Sequence, residues 1–228
     1  MAAGEGTRLR PLTERWPKPI LPIDGRPVLA TLLRELGAAG CEVVSVVTGY
    51  RAEQVEELVG DGSAFGLEVR YVRQPGVLGS ADTVRRALDA GASPPLLVSA
   101  ADTVYARGDL RRFADAFRRS GAAGAIAVRR DPAPDGSQRQ PVRIEGSRVV
   151  RLIDDDPGNP LSAAPLWAFG PDLVPLLDGL PGPPFELSQL YERAVASALE
   201  IGGFEIGKTR DLTHPEDLIR ENFPYLGS

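Results

Sequence analysis

The chain has 228 residues, enough for one large α/β domain with a full core or at most two small ones. A net charge of −5 and a pI near 5.1 give no broad basic face, so a nucleic-acid partner has no electrostatic support and a small anionic substrate needs a local cationic pocket. One cysteine, Cys41, rules out an intramolecular disulfide; with neither a secretory leader nor an apolar run long enough to span a bilayer, the chain reads as soluble and cytoplasmic, without a membrane partner.

The chain opens on Gly4-Glu5-Gly6-Thr7-Arg8-Leu9-Arg10-Pro11-Leu12, preceded only by Met1, Ala2 and Ala3. Glycines at 4 and 6 let backbone N–H groups approach an anion without a Cβ in the way, and permit the positive φ that such loops often need. Thr7 adds a hydroxyl and Arg8 a planar guanidinium that matches two phosphate oxygens at once. A loop of this kind normally follows a buried strand, so most of that first strand is expected to be missing from the chain. In a doubly wound sheet that strand would be central, and its loss would leave two neighbours with unpaired edges.

Ten residues after Arg8, Lys18 is enclosed by Pro17 and Pro19 within Trp16-Pro17-Lys18-Pro19-Ile20-Leu21-Pro22-Ile23. The prolines fix their own φ and push Trp16 and Lys18 toward extended backbone, which predicts a stiff, extended segment under the lysine. Lysine occurs only at Lys18 and Lys208 although Lys and Arg total 26, so a compact ammonium has been kept where arginine is the rule. Neither common phosphate motif applies to the opening loop: position 9 is Leu where G-x-G-x-x-G needs Gly, and no Gly-Lys-Ser/Thr lies near it. Gly202-x-x-x-x-Gly207-Lys208-Thr209 matches the P-loop expression literally, but Pro215 follows too soon for the long helix that should hold the phosphates.

Helical spacing of Val28, Leu29, Leu32, Leu33 and Leu36 predicts a helix from Pro27 to Ala39, with Gly40 past its end. Strand is predicted over Glu42 to Thr48, helix over Ala52 to Val59, strand over Leu67 to Arg73, helix over Ser80 to Ala90 and strand over Pro95 to Ala100. Such alternation implies right-handed crossovers and a parallel sheet covered on both faces. Asp102 closes the last apolar run, which would set its carboxylate at the C-terminal edge of a parallel strand, where ligands of open α/β sheets bind. Farther on, Val142 to Glu145 and Arg148 to Leu152 flank Gly146-Ser147 as a hairpin. Ser162 to Phe169 reads as strand, and Pro171 to Leu177 and Glu186 to Ala198 as helices. Thr213-x-x-Glu216 reads as a capping box; His214, the only histidine, sits inside it beside Pro215, which favours a structural role, and Asp217 reads as helix-start charge.

The combination of GxGTRLxPLT with WPKPILPI resembles the nucleotide-sugar pyrophosphorylases, the sugar-1-phosphate nucleotidyltransferases, and the similarity continues in order across nearly the whole chain. The resemblance implies an α/β, Rossmann-like (GT-A-like) fold with a mixed, mostly parallel sheet and helices on both faces. It implies a single domain, 1–228, in which 1–105 binds the nucleotide and 106–228 carries the acceptor site and a C-terminal helix. By the same resemblance, Ala3, Gly4, Gly6 and Thr7 wrap a nucleoside triphosphate, and Arg8 and Lys18 bind its phosphates as the catalytic cations. Gln74 and Gly79, within Gln74-Pro75-Gly76-Val77-Leu78-Gly79-Ser80-Ala81, stand where the nucleobase is read. Asp102 and Asp211 fall where the family binds its metal, Mg²⁺. The implied reaction transfers a nucleotidyl group to a sugar 1-phosphate and releases pyrophosphate. Gln74 can both donate and accept, which suits a pyrimidine's imide edge and favours UTP or dTTP. A homo-oligomer is compatible with the sequence, which does not specify one.

The acceptor half departs from the family pattern. Where a Glu-Lys-Pro usually follows the hairpin, this chain has Ile153-Asp154-Asp155-Asp156-Pro157, and the usual Asn-x-Gly is replaced by Ala163-Ala164-Pro165-Leu166-Trp167. Three carboxylates would repel a phosphate-bearing acceptor unless they face solvent or hold a cation. Two rivals stay open: a cytidylyltransferase acting on a non-sugar phosphate such as phosphocholine or an alditol phosphate, and a non-catalytic, nucleotide-sugar-binding regulator.

Overall fold

A computed structural model of the protein describes residues 1–130, 140–152, 156, 158–223 and 225. In chain order its first elements are β1 (Pro22–Ile23), β2 (Arg26–Pro27), α1 (Val28–Ala38), β3 (Val43–Thr48), α2 (Ala52–Val59), β4 (Glu68–Arg73) and α3 (Ser80–Asp89). Next come β5 (Leu96–Ser99), β6 (Thr103–Val104), α4 (Asp109–Ser120), β7 (Gly124–Arg129), β8 (Arg143–Glu145) and β9 (Arg148–Arg151). The chain ends through β10 (Ser162–Phe169), α5 (Leu187–Ala196), β11 (Ile201–Glu205), β12 (Arg210–Asp211) and α6 (Pro215–Asn222). Two compact units are formed: Met1–Val77 with Ala100–Gly108 and Thr209–Ser228, and Leu78–Ser99 with Asp109–Lys208. No helix among the described residues is long and apolar enough to cross a membrane.

In the first unit α1 buries Val28, Leu29, Ala30, Leu32, Leu33 and Leu36, the stripe predicted from its spacing. β3 and β4 pair in parallel from Val43 with Glu68 to Thr48 with Arg73, joined by α2, which buries Ala52, Val55 and Val59. At the N-terminal end Ala2 makes a single parallel bridge to Thr48, its N–H donating to Val47 O at 2.8 Å. β1 and β2 form a hairpin whose two turn residues, Asp24 and Gly25, have φ of 53° and 69°, the sense that matches strand twist. A small core of Leu9, Leu21, Ile23, Val28 and Leu212 gathers the opening loop, this hairpin, α1 and the segment after β12.

The second unit holds a six-stranded sheet of order β5-β10-β7-β11-β9-β8. The mixed α/β class is as expected, but a mostly parallel sheet is not what forms here: β11 with β7 is parallel, while β10 with β5, β10 with β7, β11 with β9 and β8 with β9 are antiparallel. The reason is connectivity. Among the described residues between β7 and β10 lies the β8–β9 hairpin and no covering helix, so no described crossover obliges β10 to enter in the same sense as β7. The hairpin turns at Gly146-Ser147, as read from the sequence, with Gly146 at φ 62° and Glu145 opposite Arg148. The stretch Pro171–Leu177 is a 3₁₀ helix and not α, since Pro175 inside it has no N–H to give.

The final capping box is shifted by one residue from the predicted Thr213 and Glu216. His214 is the N-cap of α6 and Asp217 stands at N3, where its Oδ2 accepts from the N–H groups of His214 at 2.8 Å and Thr213 at 2.7 Å. Pro215 at the first helical position forces this register, because its missing N–H belongs where no intrahelical bond is made. Burial pushes the Asp217 carboxyl up, but those two backbone donors, with the nearby Arg220 and His214 charges, outweigh it and hold the group below the usual carboxylate range.

Candidate active site

The opening loop is shaped by one left-handed residue. Gly6 has φ 62° and ψ 42°, and a Cβ there would lie 3.1 Å from Thr13 Cγ2 and 3.3 Å from Lys18 Cβ, so conformation and crowding both call for glycine. Gly4 differs: its φ is not positive and a Cβ would meet nothing within 4 Å. After Gly6 the chain makes a 3₁₀ turn, Thr7–Leu9, that buries Leu9 and leaves Thr7 and Arg8 exposed. A second turn, Leu12–Glu14, buries Thr13, whose hydroxyl donates back to Gly6 O at 2.9 Å. Ala3 precedes the loop, its carbonyl accepting from Tyr50 N–H at 3.2 Å.

Lys18 is not on an extended segment. Pro17 is extended, at φ −64° and ψ 143°, but Lys18 itself opens a 3₁₀ turn, Lys18–Ile20, with Pro19 second in it. Pro19 offers no N–H and suits the first turn of a helix, which overrides the local preference of the residue before it. From there the Lys18 ammonium reaches to 2.6 Å from Asp102 Oδ2, and the two side chains keep only 18% and 30% of their surface exposed. Burial pushes the Asp102 carboxyl up, yet the neighbouring Lys18 charge and its hydrogen bond win and hold it below its ordinary 3.8.

Asp102 does not close a parallel ladder as expected. β5 pairs antiparallel with β10, and the chain continues from β5 into Asp102 and β6. β6 then pairs with β12, placing Asp211 directly across from Thr103, the residue after Asp102. Two carboxylates 109 positions apart in the sequence are thereby carried by β12 and by the residue that leads into its partner strand, β6. β12 is pinned beside them by Arg210, which holds both oxygens of Asp24 at 2.6 and 2.9 Å and Glu221 Oε2 at 2.6 Å. Nothing in the sequence marks these partners, since Asp24 lies 186 positions away. Among the described residues no three His, Cys, Asp or Glu side chains cluster closely enough to hold a metal unaided.

Gln74 follows β4 in the same unit, its side chain buried and its N–H donating to Thr48 O at 2.8 Å. Gly79 belongs to the other unit, where it caps α3 at φ 96°; a Cβ there would fall 2.3 Å from Phe185 O. Backbone conformation and packing both call for glycine at that position. Of the acceptor segment, 153–155 and 157 lie outside the described residues, while Ala163 to Trp167 lie in β10. Arg8, Lys18, Asp102 and Asp211 all lie in the first unit, with Lys18 and Asp102 in contact and Asp211 paired with Thr103, the residue after Asp102.

Comparison with known proteins gives this geometry a context. A low-salt glycan biosynthesis nucleotidyltransferase of Haloferax volcanii is 27% identical over 231 residues, covering 97% of this chain and 64% of its own length. A mannose-1-phosphate guanylyltransferase of Mycobacterium tuberculosis is 32% identical over 229 residues, covering 96% of this chain and 62% of its own. The chain therefore spans less than two thirds of the length of these relatives. The fold matches that of a UDP-glucose pyrophosphorylase solved with UDP-glucose, with a TM-score of 0.81 over 99% of this chain and 96% of that one, at 21% identity. A profile described as nucleotidyl transferase matches residues 1–140, a span that takes in the opening loop, Lys18 and Asp102, and the chain accordingly belongs to the nucleotidyl transferase family.

Proposed function

We propose that this protein transfers a nucleotidyl group from a nucleoside triphosphate, UTP or dTTP, to a sugar 1-phosphate and releases pyrophosphate, with Mg²⁺ as its metal. The observation that carries the reading is the Lys18–Asp102 ion pair, set beside the strand of Asp211 and against the Gly6 loop. The acceptor class is supported by the mannose-1-phosphate guanylyltransferase of Mycobacterium tuberculosis. Residues 1–105 would serve the nucleotide and 106–228 the acceptor, as parts of one catalytic domain.

The donor set fits the proposed metal. Mg²⁺ is commonly held by one or two carboxylates, with waters and substrate phosphates completing its shell, and Asp102, just before β6, with Asp211, on β12 and paired with Thr103, would match that mode without a third protein ligand. When bound, Mg²⁺ would neutralise triphosphate charge and order the phosphate oxygens. In this reading Lys18 exchanges its carboxylate partner for a phosphate oxygen as the triphosphate arrives, and Arg8 forks onto two further oxygens. A phosphate oxygen of the acceptor, already anionic and in need of no general base, attacks the α-phosphorus in line. The new P–O bond forms as the bond to the β-phosphate oxygen breaks, and pyrophosphate leaves with its charge met by Lys18 and Arg8. Catalysis is then positioning and electrostatics. Gln74 would read the base through its paired donor and acceptor.

Pyrophosphate release is the test, using UTP, dTTP, GTP, CTP and ATP against hexose 1-phosphates, phosphocholine and an alditol phosphate, with and without Mg²⁺. The expected result is Mg²⁺-dependent release with a uridine or thymidine nucleotide and a hexose 1-phosphate. Release with GTP alone would overturn the base assignment. Release only with CTP and a non-sugar phosphate would overturn the acceptor. Nucleotide binding with no release from any pair would make the protein a regulator.

A further inference from the structure

We propose that Tyr50 is a positioning residue for the triphosphate-binding loop, acting through Thr13 on Gly6 and Lys18; the inference rests on the reading of that loop given above. Tyr50 holds the loop at both ends. Its backbone N–H donates to Ala3 O at 3.2 Å, just before the glycines, and its hydroxyl donates to Thr13 O at 2.7 Å, just after them. Thr13 in turn closes the loop across its middle through its hydroxyl to Gly6 O at 2.9 Å. The Thr13 methyl and the Lys18 Cβ lie 3.1 and 3.3 Å from where a Cβ on Gly6 would stand, so both flank the glycine and the position of Thr13 bears on the room left beside it.

The direction of the tyrosine proton is fixed. Arg51 Nε donates to Tyr50 Oη at 3.1 Å, and since a guanidinium can only donate, the phenolic hydrogen is left for Thr13 O. The same guanidinium donates to Glu14 O and lies 5.5 Å from the Tyr50 ring centre, and Gln54 Nε2 donates to Arg15 O at 3.0 Å. Three successive carbonyls, of residues 13, 14 and 15, are thus capped by three side chains from the start of α2. These are the groups that the end of the Leu12–Glu14 turn would otherwise leave without donor partners. Arg51 reaches them from a left-handed backbone, φ 49° and ψ 43°, rare for a residue with a Cβ and a mark of sites held by their surroundings. A tyrosine needed only for packing would not require its hydroxyl oriented and shared in this way.

Tyr50→Phe keeps the ring and removes one hydroxyl. Two readouts separate positioning from stability: amide hydrogen exchange across residues 4–20 without ligand, and the KM for nucleoside triphosphate against kcat and against the acceptor KM. Losing one net hydrogen bond predicts about fivefold faster exchange confined to that segment, and a nucleotide KM raised by about the same factor with the acceptor KM unchanged. Arg51→Lys, which also loses the fork, is expected to move both readouts in the same direction. Unchanged loop exchange in Tyr50→Phe, or a fall in melting temperature with neither readout moved, would overturn the proposal. Should the wild-type chain turn over no pair of substrates, the functional reading falls by itself, and loop exchange with the affinity for inorganic pyrophosphate decides the role of Tyr50.

Discussion

Lys18 Nζ lies 2.6 Å from Asp102 Oδ2, joining the proline-flanked segment to the residue that leads into β6. The pair holds a cation and an anion ready in a partly enclosed place, each of which the arrival of a phosphate and a metal would redirect.

If Lys18 meets the leaving pyrophosphate as proposed, Lys18→Ala should raise the barrier by about 3 kcal/mol, on the order of a hundredfold in single-turnover rate. A loss below tenfold would make the lysine a bystander.

The same substitution changes how stability responds to acid. In the wild type the Asp102 carboxyl is held below its ordinary 3.8, so its contribution is complete above that value and is lost as pH falls through the lowered folded-state value. Without Lys18, burial is left as the leading influence and favours the protonated acid, so the variant is penalised at neutral pH and relieved by acidification. Urea midpoints measured at pH 7 and near pH 3 should therefore differ most between the two proteins at pH 7. Parallel curves would show that the ion pair does not set this carboxyl.

Gly6 and Gly4 should separate conformation from ligand approach. Gly6→Ala places a Cβ at φ 62° against Thr13 and Lys18, with an expected loss of about 1 to 2 kcal/mol of stability and a raised nucleotide KM. Gly4→Ala has open space around it, so the melting temperature should stay unchanged while the nucleotide KM rises if phosphates approach that backbone. Equal melting temperatures for both variants would contradict the role given to Gly6.

Gly79→Ala meets the Phe185 backbone at 2.3 Å from a φ of 96°, and should cost roughly 3 kcal/mol in chemical denaturation before any effect on base choice is counted. A fully stable variant with altered nucleotide preference would show that the segment gives way and that Gly79 faces the base.

Asp211→Asn keeps the shape of β12 and removes one of the two charges proposed for the metal. The Mg²⁺ concentration for half-maximal rate should rise at least about tenfold, with the melting temperature unchanged. An unaltered Mg²⁺ dependence would leave Asp102 without this partner.

Much of the fold is legible locally. The stripe on α1, the bounds of α2 and β10, and the Gly146-Ser147 turn follow from spacing and turn chemistry, which depend on near neighbours. Pairing sense is not local: β10 fits its sequence equally well in either direction, and the hairpin between it and β7 made the antiparallel entry available. The capping register at His214 and the turn at Lys18 were missed because a proline a residue or two on decided each, where the wider pattern pointed elsewhere.

For the site, the sequence by itself determined the chemistry on offer: two glycines, a fork at Arg8, one lysine kept among arginines, and carboxylates at 102 and 211. Only the tertiary structure decided that Lys18 meets Asp102, that Asp211 stands across from Thr103, and that Tyr50 holds the loop through Thr13. These are contacts between residues 37 to 108 positions apart, which depend on how strands and turns pack and leave no periodic trace along the chain.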